Sequence, residues 1–272
     1  MTPSYHKKRW ILTKLLILAV NLRPSEEMSI SDLQPFGAAQ GDTLIPPLDD
    51  GSSGLISMSA TFPFFGRQYN TMFVNVNGGF SFERELSSYS SHDFPMPAAI
   101  PVIIAVWTDI NTRNGGDIWY RETRDAAILN SVSKEIRGTI CPAPKFRNFV
   151  ADWGFVTTYA DVAFFGASTA GKRLRNTFQV ILALDSARSV SFAILNYAKI
   201  EWTTGNNGGD IDTGLGGIEA MAGFDAGDTT NFFRIPGSRT PAVLDLARSS
   251  NVKVPGKWMF NVDTEVAEGE KC

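Results

Sequence analysis

The sequence predicts an α+β, β-rich domain made of sandwich-like antiparallel sheets with one helix. Three observations support this fold class. Apolar and polar residues alternate with a period of two in several short segments. Only one segment, at about 121–140, has its apolar residues at helical spacing. The composition is rich in Gly (24) and Phe (19), and 19% of residues are charged, below the roughly 25% of an average globular chain.

The first predicted pair of strands lies within residues 61–82. Asn77-Gly78 separates two apolar runs there, and Met72, Val74 and Val76 alternate with their neighbours. Asn-Gly is the strongest short-range hairpin signal because both residues tolerate a positive φ. We therefore expect a tight turn at Asn77-Gly78, with a strand on each side.

Further strands are predicted downstream. Residues 102–107 form a continuous apolar run, typical of a strand buried on both faces. Residues 178–184 and 190–195 alternate on either side of a turn at 185–188, which predicts a second hairpin with its register fixed by an apolar face. Residues 258–262 form the last predicted strand.

The single predicted helix spans about 121–140. Leu129, Val132 and Ile136 follow helical spacing with charged residues between them, and Pro142 bounds the C-terminal end. One helix among roughly ten short strands favours a β-sandwich-like α+β domain.

The chain divides into four segments by composition. A basic cluster at 7–9 and an apolar run after it predict a signal peptide over residues 1–22. Residues 23–54 are rich in Pro and turn residues and are expected to be an N-terminal loop segment. Residues 55–263 carry the predicted domain, and the polar residues 264–272 are expected to be a linker to a missing downstream module.

Charge and cysteine content limit the function classes. The net charge is −3 and no like-charged block follows residues 7–9, so we expect no nucleic-acid partner. No apolar run reaches spanning length, so no transmembrane segment is predicted. Cys141 and Cys272 are the two cysteines, and whether they form a disulfide is left open by the sequence.

Several motifs in order resemble the nidogen-like (NIDO) extracellular domain family. A Phe-Pro-Phe-x-Gly element at 62–66 precedes Val-Asn-Val-Asn-Gly at 74–78. Later segments that resemble the family lie at residues 95–101, 107–109, 115–121, 176–180, 196–197, 200–205, 223–228 and 254–260. The sequence of residues 66–71, Gly-Arg-Gln-Tyr-Asn-Thr, resembles the alpha-tectorin type of this family.

The resemblance implies an extracellular, secreted or cell-surface module. It implies a role in cell–matrix adhesion or matrix structure, with matrix or cell-surface proteins as partners. It implies neither a catalytic residue nor a cofactor, so the predicted function is non-catalytic interaction. Loops at 109–117 and 206–217 are the predicted contact surfaces, because loops on a rigid scaffold commonly carry recognition.

Calcium binding is one alternative, in which the domain would be a structural spacer. Asp109, Asp117, Asp210 and Asp212 lie in Gly-rich loops and supply the oxygen ligands that Ca²⁺ prefers. Neither loop has the EF-hand pattern, and Asp or Asn next to Gly more commonly forms a turn through side-chain-to-backbone hydrogen bonds.

An enzyme is the other alternative. A glycan hydrolase would need paired carboxylates, for which Asp109 and Asp117 are the candidates, although no positional signature supports them. His92 is the one histidine outside the predicted leader, and its serine-rich surroundings indicate a surface loop.

Overall fold

The computed structural model describes residues 27–139, 146–204 and 208–268. Among these residues there is one α-helix, α1 (Ala126–Thr139), and short 3₁₀ helices lie at Ile30–Asp32, Ala38–Gln40, Thr112–Asn114, Gly171–Arg173 and Pro241–Ala247. The strands, in chain order, are β1 (Thr43–Ile45), β2 (Ile56–Phe64), β3 (Arg67–Asn75), β4 (Gly79–Ser81), β5 (Pro101–Trp107), β6 (Asp117–Thr123), β7 (Trp153–Val162), β8 (Asn176–Asp185), β9 (Val190–Lys199), β10 (Met221–Ala226), β11 (Phe232–Arg234), β12 (Lys257–Asn261) and β13 (Ala267–Glu268). The β-rich fold class with one helix is therefore confirmed.

The strands form two antiparallel sheets that pack face to face. The seven-stranded sheet has the order β1-β6-β7-β8-β9-β12-β13, and the six-stranded sheet has the order β11-β10-β5-β4-β3-β2. Their inner faces share one hydrophobic core, in which Phe80 and Phe155 meet edge to face at 5.8 Å between ring centroids. The Tyr159 hydroxyl also donates a hydrogen bond of 2.6 Å across the sandwich to the Asn75 carbonyl.

The central strands follow the sequence pattern. β5 is buried along its whole length, as its continuous apolar run predicts. β8 and β9 form the second predicted hairpin, and they are paired from Asp185↔Val190 onward. Both faces of this hairpin are buried for most of its length, because α1 covers the outer side.

The first hairpin has a different turn from the one expected. Asn75 pairs with Gly79, so β3 and β4 are joined by a three-residue loop in which Gly78 has φ +102° and Asn77 does not have a positive φ. Asn77 instead uses its side chain, which accepts a hydrogen bond from the Ile110 N–H and donates one to Asp50. A Cβ on Gly78 would lie 1.8 Å from the Val106 carbonyl oxygen, so only Gly fits there.

The helix is shorter than predicted at its N-terminal end. Residues 121–123 belong to β6, and α1 begins at Ala126 because the Asp125 carboxylate accepts hydrogen bonds from the N–H groups of Ala127 and Ile128. Its apolar face packs on the outer side of the seven-stranded sheet. No helix in the described ranges has the length and apolar character needed to cross a membrane.

The described part of the predicted N-terminal loop segment, residues 27–54, packs against the seven-stranded sheet and adds a short strand to it. β1 is the edge strand that pairs with β6, and buried Arg121 forms an ion pair with Asp42 beside it. Residues 27–34, here called the N-terminal strap, cross the outer face of the seven-stranded sheet. Gln34 anchors the strap through two hydrogen bonds of 2.9 Å between its backbone and the Gln179 side chain.

Candidate functional site

Three loops meet at one end of the sandwich. They follow β5, β7 and β9 and comprise residues 108–116, 163–171 and 208–218, here called the loop face. Neighbouring antiparallel strands run in opposite directions, so alternate connections of the meander β6-β7-β8-β9 emerge at the same end. Strand direction therefore brings together the two loops that the sequence predicts as contact surfaces, with a third between them.

The first and second loops are joined by backbone hydrogen bonds. The Phe165 N–H donates to the Asp109 carbonyl, and the Asn111 N–H donates to the Ala163 carbonyl, both at 2.9 Å. Ile110 and Phe164 form an antiparallel bridge between these contacts. The two loops consequently hold each other in place through their own backbone.

The second and third loops also lie against each other. The Ser168 N–H donates a 3.0 Å hydrogen bond to the Ile211 carbonyl, and the Ser168 hydroxyl donates to the Asp212 carboxylate. A Cβ on Gly171 would lie 2.2 Å from the Ile211 carbonyl oxygen, so the backbones approach as closely as Gly allows. The described parts of the loop face therefore form one connected surface.

Large apolar side chains are exposed on this surface. Phe165 is 39% exposed, Ile211 48% and Ile218 38%. Exposed apolar side chains on a preformed surface are available as anchors for a protein contact. Sequence reasoning missed these three residues, because an isolated apolar residue in a loop cannot be assigned as exposed or buried before the packing is known.

Asp109 is the one predicted site residue that lies in a buried environment. It is 5% exposed, and no described residue donates a hydrogen bond to its carboxylate. Burial raises the pKa of Asp109 to about 7, and the Asp50 and Asp49 carboxylates act in the same direction.

Asp49 and Asp50 are neighbours of Asp109 that the sequence indicates only as part of a turn. Burial also raises the pKa of Asp49, with Asp50 adding to the shift and Arg113 opposing it. The Asp49 Oδ1 atom is buried without a described hydrogen-bond partner, whereas Asp50 accepts a 2.8 Å bond from Asn77. The Asp49-Asp50-Gly51 pattern marks a turn, but only the fold brings it next to Asp109.

The other calcium candidates have separate roles. The exposed Asp210 carboxylate accepts hydrogen bonds from the N–H groups of Asp212 and Thr213, and these bonds lower the pKa of Asp210. Asp117 is exposed at the start of β6, and Asp212 accepts the hydroxyl of Ser168. Across the described ranges, no group of three or more Asp, Glu, His or Cys side chains is arranged to hold a metal ion.

The paired carboxylates of the hydrolase hypothesis lie in unlike environments. Asp109 is buried just after β5 of the six-stranded sheet, and Asp117 is exposed on β6 of the seven-stranded sheet.

His92 is exposed and stands edge to face with Trp107 at 5.9 Å between ring centroids. The predicted leader and the cysteines Cys141 and Cys272 lie outside the described residues.

Comparison with known proteins identifies relatives of the chain. The model of the nidogen-like domain family (NIDO) matches residues 70–264. Alpha-tectorin of Mus musculus is 43% identical over 225 residues, covering 82% of this chain and 10% of that protein. Alpha-tectorin of Homo sapiens is 42% identical over 264 residues, covering 97% of this chain and 12% of that protein.

More distant relatives carry the nidogen name itself. Nidogen-2 of Mus musculus is 28% identical over 283 residues, which cover 98% of this chain and 19% of that protein. The chain thus spans about a tenth of the length of the alpha-tectorins. No solved structure matches the chain.

Proposed function

Because this chain belongs to the nidogen-like domain family, we propose that it is a non-catalytic interaction module for cell–matrix adhesion. The domain is extracellular and belongs to the matrix, as do alpha-tectorin and the nidogens. Its partner in this proposal is a matrix or cell-surface protein that contacts the loop face.

The proposal rests on the preformed loop face and the apolar side chains exposed on it. The loops are held by their own backbone hydrogen bonds, so binding would cost little ordering entropy. Phe165 and Ile211 are exposed on segments joined by the Ser168–Ile211 hydrogen bond. Apolar anchors with a polar rim are the usual source of affinity in a protein contact.

Solid-phase attachment to decellularised extracellular matrix tests this proposal. Phe165→Ser and Ile211→Ser should each weaken attachment by about tenfold, which corresponds to the loss of one apolar anchor. Leu55→Ser is the matched control, because Leu55 is 61% exposed and lies outside the loop face. Unchanged attachment of both loop variants, with thermal stability preserved, would show that another surface binds.

An activity screen tests the proposal that the domain is not catalytic. We expect no turnover when the pure chain is screened against chromogenic glycosides and a broad hydrolase panel. Asp109 has the raised pKa that a general acid needs, but its proposed partner Asp117 is exposed on the other sheet. Turnover that Asp109→Asn abolishes would replace the interaction module with an enzyme.

A further inference from the structure

A polar cleft lies on the outer face of the seven-stranded sheet and shares no lining residue with the loop face. It is bounded by the N-terminal strap, by α1 and by the residues just before β12, and its volume is about 820 Å³. Cavities of roughly 300–1,000 Å³ are the usual size of small-ligand sites. The cleft is therefore large enough for a ligand of several ring units.

The floor of the cleft belongs to a row of polar side chains that crosses the sheet. Thr158, Gln179, Asn196 and Lys257 stand directly opposite one another on β7, β8, β9 and β12. The next row along the strands is apolar and lies under α1, with Ile181, Ile194 and Met259 in the second hydrophobic cluster. The outer face of the sheet thus changes from apolar to polar where the helix cover stops.

Asn196 is the member of this row that has no hydrogen-bond partner. Both polar atoms of the Gln179 side chain are bonded, because its oxygen accepts from the Gln34 N–H and its nitrogen donates to the Gln34 carbonyl and to Thr158. Asn196 is only 3% exposed and lines the cleft, yet no described residue bonds to its side chain and its Oδ1 atom is buried and unpaired. A buried amide oxygen without a hydrogen-bond partner is unfavourable, so a partner from the cleft would be stabilising.

The charges around Asn196 nearly cancel. Lys257 forms an ion pair with Glu135 of α1, and the remaining charged groups at the cleft are Glu27, Asp32 and Lys134. Ser131 adds a hydroxyl from an exposed position of α1. A nearly neutral lining of hydroxyl, amide and paired charged groups disfavours a polyanion and offers both donors and acceptors.

From this arrangement we propose that the cleft binds a neutral saccharide chain, with Asn196 as the central contact. An Asn amide can turn about its last bond and present either its oxygen or its nitrogen, so a partner that both donates and accepts suits it best. Sugar hydroxyl groups do both. The cleft has no aromatic ring in its lining, so the affinity is weak, with Kd of about 0.1–1 mM.

An NMR titration of the full ¹⁵N-labelled chain tests the proposal. The neutral probes are triacetylchitotriose and maltotriose, and a heparin hexasaccharide is the polyanionic comparison. At least one neutral probe should shift the side-chain amide signal of Asn196 and the backbone signal of Gln34. Absence of shifts with both neutral probes up to about 10 mM, or shifts with heparin alone, would overturn the proposal.

Two variants separate binding from folding. Asn196→Ala should weaken binding by about tenfold without lowering the melting temperature, because the side chain that is removed has no described hydrogen-bond partner. Ser131→Trp should block the cleft from an exposed helix position, while Asn130→Trp, its exposed neighbour outside the lining, should bind normally. If both Asn196→Ala and Ser131→Trp bind the saccharide as tightly as the parent chain does, the saccharide is held elsewhere.

Discussion

At the scale of single residues, Gly78 shows how a local signal and a tertiary contact combine. The Asn-Gly pair predicts a turn, and a turn with Gly78 at positive φ is present. The contact with the Val106 carbonyl could not be predicted, because it depends on how β5 pairs beside β4. Because of this contact, the position tolerates substitution by a larger residue far less than its positive φ alone would predict.

Gly78→Ala should therefore destabilise the domain much more than Gly66→Ala. Both glycines have positive φ, but an added Cβ meets the Val106 carbonyl at Gly78 and nothing within 4 Å at Gly66. We expect a loss of about 1 kcal/mol in the free energy of unfolding at Gly66 and more than about 3 kcal/mol at Gly78. Denaturant unfolding measures both, and equal losses would contradict the close packing.

Asp109 makes stability depend on pH. Its pKa is about 7 in the folded chain and near 3.8 when unfolded, so the folded state binds more protons between these values. Its contribution is fully present below pH 4 and is lost as the pH rises through 7. Each pKa unit is worth about 1.4 kcal/mol, which limits the change to about 4 kcal/mol.

Asp109→Asn should remove this pH dependence. Compared with the parent chain, the variant should gain stability from about pH 4 to about pH 7 and then level off, because it avoids a buried charge. Thermal unfolding across this pH range measures the difference. A difference in melting temperature that is constant with pH would mean that Asp109 is not a buried, unpaired carboxyl.

At the scale of elements, period and composition predict most of the fold. The continuous run of β5, the alternation of β8 and β9 and the helical spacing in α1 each match the structure. The predicted helix start lies five residues before the observed one, because residues 121–123 belong to a strand that pairs with β7. Long-range pairing thus overrides a local pattern that suits either element.

Asp125 caps the N-terminus of α1, and its contribution to stability can be measured. Asp125→Ala should cost about 1 kcal/mol in unfolding free energy, because two N–H groups of the first turn lose their acceptor. Asp125→Asn keeps an acceptor oxygen and is the control, with a smaller expected loss. If both variants lose the same stability, the charge rather than the cap is what matters.

At the scale of the whole molecule, the candidate site depends on topology. The sequence predicts the loops at 109–117 and 206–217 but not that the segment 163–171 joins them, since that requires the strand order of the seven-stranded sheet. The polar row through Asn196 cannot be predicted from the sequence either. It depends on the register between strands, which decides which residues face one another. Family membership supplies the extracellular setting.

Hydroxyl-radical footprinting of the chain, free and attached to decellularised matrix, identifies the surface that contacts the matrix. We expect attachment to lower oxidation of Phe165 and Ile211 on the loop face. Oxidation of Leu55 and Tyr89, which are exposed elsewhere, should stay unchanged. Protection of Leu55 or Tyr89 with no protection of Phe165 and Ile211 would contradict the loop face as the contact surface.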